Sequence, residues 1–244
     1  MNPYTFFWKS SIGKKWLVAL TGLVWVGYVF GHLIGNLQVF AGPAAINTYA
    51  EFLHSKPAAL WVARIVLIAA LVLHVVATLK VRFESRQARP ERYQKPGSVQ
   101  AKWSTKTMTL SGLVVLAFII YHLLHLTTRS TDPRFKPLAA GGLLQGENDV
   151  YTMLVLGFQS PLVSIFYLIG VGLLAMHLSH GFSSLLQTLG INSKKMMTPI
   201  SHGGRILAVL VFLGYASIPL AVWSGGLKLP STPTAPQLAE VANK

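Results

Sequence analysis

Eight histidines stand in this chain of 244 residues, which contains no cysteine. Imidazole is the side chain best suited to bind a metal or move a proton near neutral pH. His54 and His202 fall in connecting loops, while six fall in or near apolar stretches long enough to cross a membrane. An ionisable residue there is costly and marks a functional site by default. Four of them repeat one spacing: His32 follows Trp16 by 16 residues, as His74 follows Ala58, His122 follows Lys106 and His177 follows Pro161. At 1.5 Å per residue each lies about 24 Å into its helix. Successive spans run in opposite directions, so this spacing makes two layers, about 15–20 Å apart by helix rise. His32 and His122 share one layer, and His74 and His177 share the other. Two imidazoles on opposite sides of a porphyrin plane complete the ligation of a bis-histidine haem. A bundle core is a natural place for two such sites.

Small residues support this geometry. Thr21-Gly22 precedes His32 by 11 and 10 positions, and Ser111-Gly112 precedes His122 likewise. Eleven residues return to within about 20° of the same helix face, so Thr21 and Ser111 are expected to face the core near the layer of His74 and His177. Ala63, 11 residues before His74, leaves room near the other layer. The matching position in the fourth span is Phe166, with Gly170 the nearest small residue on that face. A lone membrane histidine can instead be a hydrogen-bonded packing residue, and small residues alone can mean close helix packing. His125 and His180 each follow a proposed ligand by three positions, as alternative ligands or as polar partners near a haem edge.

The elements that position these residues are long and apolar. Hydrophobic residues make up 52% of the chain and charged ones 11%, with a mean hydropathy of +0.50. Soluble domains carry about 25% charge. Five segments reach the roughly 20 apolar residues that a span needs: Trp16–Phe40, Ala58–Leu79, Thr107–Leu126, Pro161–Leu186 and Ile206–Trp223. The fold expected is all-α, an integral membrane bundle of five transmembrane helices over residues 1–226, followed by a C-terminal tail over 227–244. A short helix is expected at Ile46–His54 and an interfacial one around Asp149–Phe158. The net charge is +14, and 14 of the 21 basic residues are concentrated in three places. Lys9, Lys14 and Lys15 precede span one. Lys80, Arg82, Arg86, Arg89, Arg92, Lys95, Lys102 and Lys106 follow span two, and Lys194, Lys195 and Arg205 precede span five. These positions share one side of a five-span chain, so the N-terminus is expected in the cytoplasm and the C-terminus outside. The charges flank spans and form no nucleic-acid reader motif. Without cysteine the chain holds no disulfide, cysteine-bound iron–sulfur cluster or thioether-linked haem.

The segments Ala19-Leu-Thr-Gly-Leu, Gly31-His32-Leu-Ile-Gly-Asn36, Ile46-Asn-Thr-Tyr-Ala-Glu-Phe-Leu-His54, Tyr121-His122-Leu-Leu and His177-Leu-Ser-His-Gly181, with the five spans, carry a family likeness. Together they resemble the cytochrome b membrane-anchor subunit of succinate:quinone oxidoreductases and fumarate reductases, of the five-helix, two-haem type. The likeness covers most of Ser10–Trp223. It implies that His32 and His122 hold an outer haem b, and that His74 and His177 hold one near the cytoplasm. It also implies a flavoprotein subunit with FAD and an iron–sulfur subunit on the cytoplasmic side. Electrons then pass to or from a membrane quinone, expected to be menaquinone, in the bacterial inner membrane. Relatives often have another residue where this chain has His180, so His180 inherits no ligand role.

A quinone exchanges protons on reduction, which makes Glu51 and His54 candidates for proton transfer; Glu51 is equally readable as a solvated loop carboxylate. Two other readings fit the histidines. One is the cytochrome b subunit of another quinone-linked dehydrogenase, such as a formate dehydrogenase or hydrogenase, which its soluble partners would reveal. The other is a haem-free transporter using histidines as a proton relay. It is weakened by the lack of paired acidic residues within the spans.

Overall fold

The structure, a computed structural model, describes residue 2 and residues 4–88 and 103–230. Arg89, Arg92, Lys95, Lys102 and the tail beyond residue 230 lie outside the described residues, as do the side chains of Lys106 and Lys194. The fold is all-α, without a strand among the described residues. Its helices are α1 (Ser11–Leu37), α2 (Pro43–His54), α3 (Pro57–Gln87), α4 (Trp103–His122), α5 (Val150–Phe158), α6 (Pro161–Thr188) and α7 (Lys194–Trp223). Five of them (α1, α3, α4, α6 and α7) give segments long and apolar enough to cross a membrane.

α1 packs against α3, α6 and α7, and α6 packs in turn against α4 and α7. Around the bundle the order is therefore α3, α1, α6, α4, with α7 lying against the α1–α6 seam. Histidine pairs drawn from α1 with α4, and from α3 with α6, lie on the two diagonals of this four-helix arrangement. Large apolar side chains such as Leu23, Ile65, Leu110, Leu162, Ile169 and Leu213 remain exposed. A soluble monomer rarely exposes apolar patches beyond a few hundred Å²; hydrocarbon is the solvent these faces suit.

Two helices run past their apolar stretches toward one end of the bundle. α3 continues two turns beyond Leu79, carrying Lys80, Arg82 and Arg86, and α7 begins 12 residues before Ile206. Lys and Arg are good helix formers, so charge ends the apolar span without ending the helix. For the same reason His202 lies within α7, where a loop is expected from the sequence; His54 is the last residue of α2, at the end of the short helix expected at Ile46–His54. At this basic end Lys14, 2% exposed, forms an ion pair with Glu84 of α3. Lys80 lies over the Trp8 ring at 5.5 Å. A charge this buried needs its partner, so the pair fixes α1 against α3.

The other end, called the far end below, is closed by α2 and α5. Asp149 is the N-cap of α5 and accepts from Thr152 N at 3.2 Å, Gln145 N at 2.9 Å and Asn47 Nδ2 at 3.1 Å. Asn47 Oδ1 accepts in turn from Tyr151 N at 3.0 Å, joining α2 to α5. Loss of such a cap costs about 0.5–2 kcal/mol. Every residue from Tyr151 to Phe158 is buried. The helix expected here is present and forms a buried plug, because Val150–Phe158 carries no charge and is mostly apolar, the mark of an interior helix. Tyr151, Leu154, Val155 and Phe158 join Phe118, Tyr167, Val171 and Ile218 in the main apolar core.

Candidate functional site

The helices bring the four equally spaced histidines together in two pairs. His74 of α3 and His177 of α6 have ring centres 6.5 Å apart, and His32 of α1 and His122 of α4 have ring centres 5.9 Å apart. Two imidazoles binding one metal at about 2 Å each would place their ring centres about 6.3 Å apart. Both pairs lie within a few tenths of an ångström of that value.

The basic-end pair is held from behind by hydroxyls. Thr21 Oγ1 donates to the Leu17 carbonyl at 2.7 Å, leaving lone pairs toward His74 Nδ1 at 3.1 Å. The Val18 carbonyl lies at the same distance from that nitrogen. On the other side, Ser111 Oγ donates to the Met108 carbonyl at 2.9 Å and lies 3.4 Å from His177 Nδ1. With Nδ1–H donated backward, the free lone pair of each ring is on Nε2, the arrangement common in metal-bound histidines. Glycine lets the rings seat: a Cβ at Gly22 would stand 3.4 Å from His74 Cε1, and one at Gly112 would stand 3.2 Å from His177 Cε1. The repeated Thr-Gly and Ser-Gly pairs thus cup the histidine of a neighbouring helix.

A cavity of about 670 Å³ opens around this pair, lined by His74, His177, Gly22, Gly112, Gly181 and Trp25 among others. That is within the range of cofactor pockets, about 300–1,000 Å³. Trp25 Nε1 and Thr78 Oγ1, both buried without a hydrogen-bond partner, belong to its wall. Lys15 and Thr109 stand in the lining as well, and Arg82 Nη1 donates to Thr109 Oγ1 at 2.8 Å, tying α3 to α4.

The far-end pair is set among rings. Tyr28 stacks on His32 with centres 5.3 Å apart and planes 11° apart, and Tyr215 lies 6.2 Å away. Asn36 Nδ2 is 3.4 Å from His32 Nε2. Phe118 and Tyr167 approach His122 at 6.1 and 6.0 Å. Gly170 does not leave open space here: a Cβ on it would come within 2.3 Å of Phe118 Cδ2, so its missing side chain is filled by that ring. Ala63 is exposed.

His125 belongs to neither pair. It is 2% exposed, with Nδ1 2.9 Å from the Tyr167 hydroxyl. His180 lies one turn beyond His177 on α6. Glu51 and His54 are exposed on α2, and His54 Nδ1 turns back to its own Ala50 carbonyl at 2.8 Å. Tyr167 is the contact that sequence reasoning missed; its position in the fourth span reads as ordinary core. Beyond the spans, the Arg134 guanidinium hydrogen-bonded to Asp132 holds that carboxyl below its usual range, and Arg134 Nη2 donates to the Leu156 carbonyl of α5 at 3.2 Å.

Among the described residues no three His, Cys, Asp or Glu gather into one cluster. A bare transition metal in a closed site takes about four protein ligands. Two suffice for an iron whose other positions a macrocycle fills. The residues therefore fit a haem at the basic end by donor set, spacing, cavity and orphaned polar wall. At the far end they fit by donor set and spacing.

Comparison with known proteins gives one relative. Over 207 residues, 83% of this chain and 91% of the other, the chain is 24% identical to the "Succinate dehydrogenase cytochrome b558 subunit" of Bacillus subtilis (strain 168). No protein-family model matches the chain, and no solved structure does.

Proposed function

We propose that this multi-pass protein of the bacterial inner membrane is the cytochrome b anchor of a succinate:quinone oxidoreductase. Two haems b are held by His74 with His177 and by His32 with His122. The observation that carries this reading is the meeting of the four histidines in two diagonal pairs at a ligand-like spacing. The name of the Bacillus subtilis relative supports it over most of the chain. The basic end is then cytoplasmic by the positive-inside rule. Flavoprotein and iron–sulfur subunits dock there, since a chain without cysteine holds no cysteine-bound cluster itself.

Bound at these sites, haem supplies one-electron redox chemistry between the iron–sulfur partner and a membrane quinone, menaquinone in this reading. The chain's own residues do the rest. Thr21 and Ser111, with the Val18 and Met108 carbonyls, keep the Nδ1 proton of His74 and His177 turned back and their Nε2 lone pairs forward. The apolar wall excludes water. Lys15 at the cavity mouth and Arg82 nearby place positive charge where carboxylates of a bound cofactor would be favoured. Glu51 and His54 are exposed on α2, and in this reading they exchange protons with water for a quinone at the far end.

Purification of the intact complex tests the reading. Mass spectrometry is expected to find a flavoprotein and an iron–sulfur subunit with this chain, and a reduced-minus-oxidised spectrum to show low-spin haem b. Formate dehydrogenase or hydrogenase subunits in their place, or an active complex without a haem band, would contradict it.

A further inference from the structure

We propose that Tyr167 is a positioning residue for His122, and that His125 is present to hold the Tyr167 hydroxyl in place. The proposal rests on reading His122 as a haem ligand. Tyr167 is 6% exposed and His125 2% exposed. The hydroxyl of Tyr167 lies 2.9 Å from His125 Nδ1 and 3.5 Å from His122 Nδ1.

The donor count gives this chain a direction. A tyrosine hydroxyl has one proton to donate and lone pairs to accept with. If His122 binds through Nε2, its Nδ1 carries a proton, and the Tyr167 oxygen accepts it. The Tyr167 proton then goes to His125 Nδ1, so His125 carries its own proton on Nε2. Each group is used once, and the three residues form a line from α4 to α6 and back.

The backbone is shaped for this contact. Directly after His122, α4 passes into a π-helical turn, Leu123–Thr127. Such turns are rare and concentrate at functional sites. This one carries His125 into the interior, stacked on Tyr121 at 5.5 Å and beside Phe135 at 5.1 Å. Gly157 of α5 admits the ring, since a Cβ there would stand 3.1 Å from His125 Cε1. Packing alone asks for none of this: Phe118, Phe158 and Phe166 surround Tyr167, and an apolar side chain at 125 would spare the burial of a polar ring.

A hydrogen bond from the far nitrogen of a ligand histidine raises the basicity of the ligating one, and losing such a partner costs about 10–100-fold in metal affinity. It also favours the oxidised iron, since axial-ligand hydrogen bonding tunes haem potential. The experiment is a redox titration of the whole membrane complex, followed by visible and electron paramagnetic resonance spectra, for Tyr167→Phe, His125→Leu and His125→Gln. Tyr167→Phe is expected to raise the midpoint potential and alter the resonance of one haem while the other stays as in the wild type. His125→Leu is expected to shift the same haem, and His125→Gln, whose amide oxygen can accept the tyrosine proton, to restore most of it. No shift in Tyr167→Phe and His125→Leu, or an equal shift of both haems, overturns the proposal. His122→Ala separates the two levels. If it removes one haem while Tyr167→Phe and His125→Leu shift nothing, only the positioning role fails; if it leaves both haems, the ligand reading fails as well.

Discussion

At the basic end, His74 and His177 meet beside a cavity of about 670 Å³ and are backed by two short hydroxyls that are themselves tied to backbone carbonyls. At the far end, His32 and His122 meet among Tyr28, Phe118, Tyr167 and Tyr215, with their polar contacts at 3.4 and 3.5 Å. The spacing of the two pairs is nearly the same, so helix geometry sets the distance and local chemistry sets everything else. One pair takes its orientation from its neighbour helix's own backbone, through a residue next to a glycine. The other depends on long side chains whose positions depend on α5 and on the apolar core behind them. The far end is therefore the more sensitive of the two to changes in distant packing.

Removing a ligand tests the independence of the two pairs most severely. His177→Ala is expected to abolish one of two haem signals and spare the other, and His122→Ala to do the reverse, read in reduced spectra at low temperature. Loss of both from either variant would mean that the pairs do not form separate sites. Filling the cradle comes next. Gly112→Leu places a side chain against His177 and into the cavity, and it should eliminate the basic-end haem alone. Gly170→Ala meets Phe118 instead, so its cost is overpacking of about 1–3 kcal/mol, seen as a lower thermal midpoint with the basic-end haem retained. A smaller effect is expected from Thr21→Val, which leaves the Val18 carbonyl as acceptor for His74. Haem affinity at the basic end should fall by about tenfold, the low end for such partners, and Thr21→Ser should be close to wild type.

The smallest effect concerns pH. Asp132 is held below its usual range by Arg134. A depressed carboxyl adds stability above its ordinary range and loses it as the pH falls through the lowered value. Hydrogen exchange over residues 129–149 should therefore stay slow through mildly acidic pH and rise only below the ordinary carboxylate range. Basic-end haem spectra should not change with it. A rise already at neutral pH would contradict the role given to this ion pair.

The spans and the two histidine layers were legible because both follow from counting. A span needs a fixed apolar length, and a helix has a fixed rise per residue. Thr21 and Ser111 were legible as core-facing for the same reason. Their hydrogen bonds to histidines on other helices were not, since these depend on how the helices rotate against each other. Tyr167 lay beyond reach because its importance comes from a π-helical turn that the pattern around His122 does not announce. The burial of α5 was readable in principle: Val150–Phe158 has no polar face to present to an interface. The lengths of α3 and α7 were underestimated because hydropathy marks where lipid ends, while helix propensity marks where a helix ends.

The central claim is that this one chain holds two haems, each between a diagonal pair of histidines. Its most direct test is the ratio of extractable haem b to this polypeptide in the purified, intact complex. Two haems per chain are expected; one or none would contradict the claim.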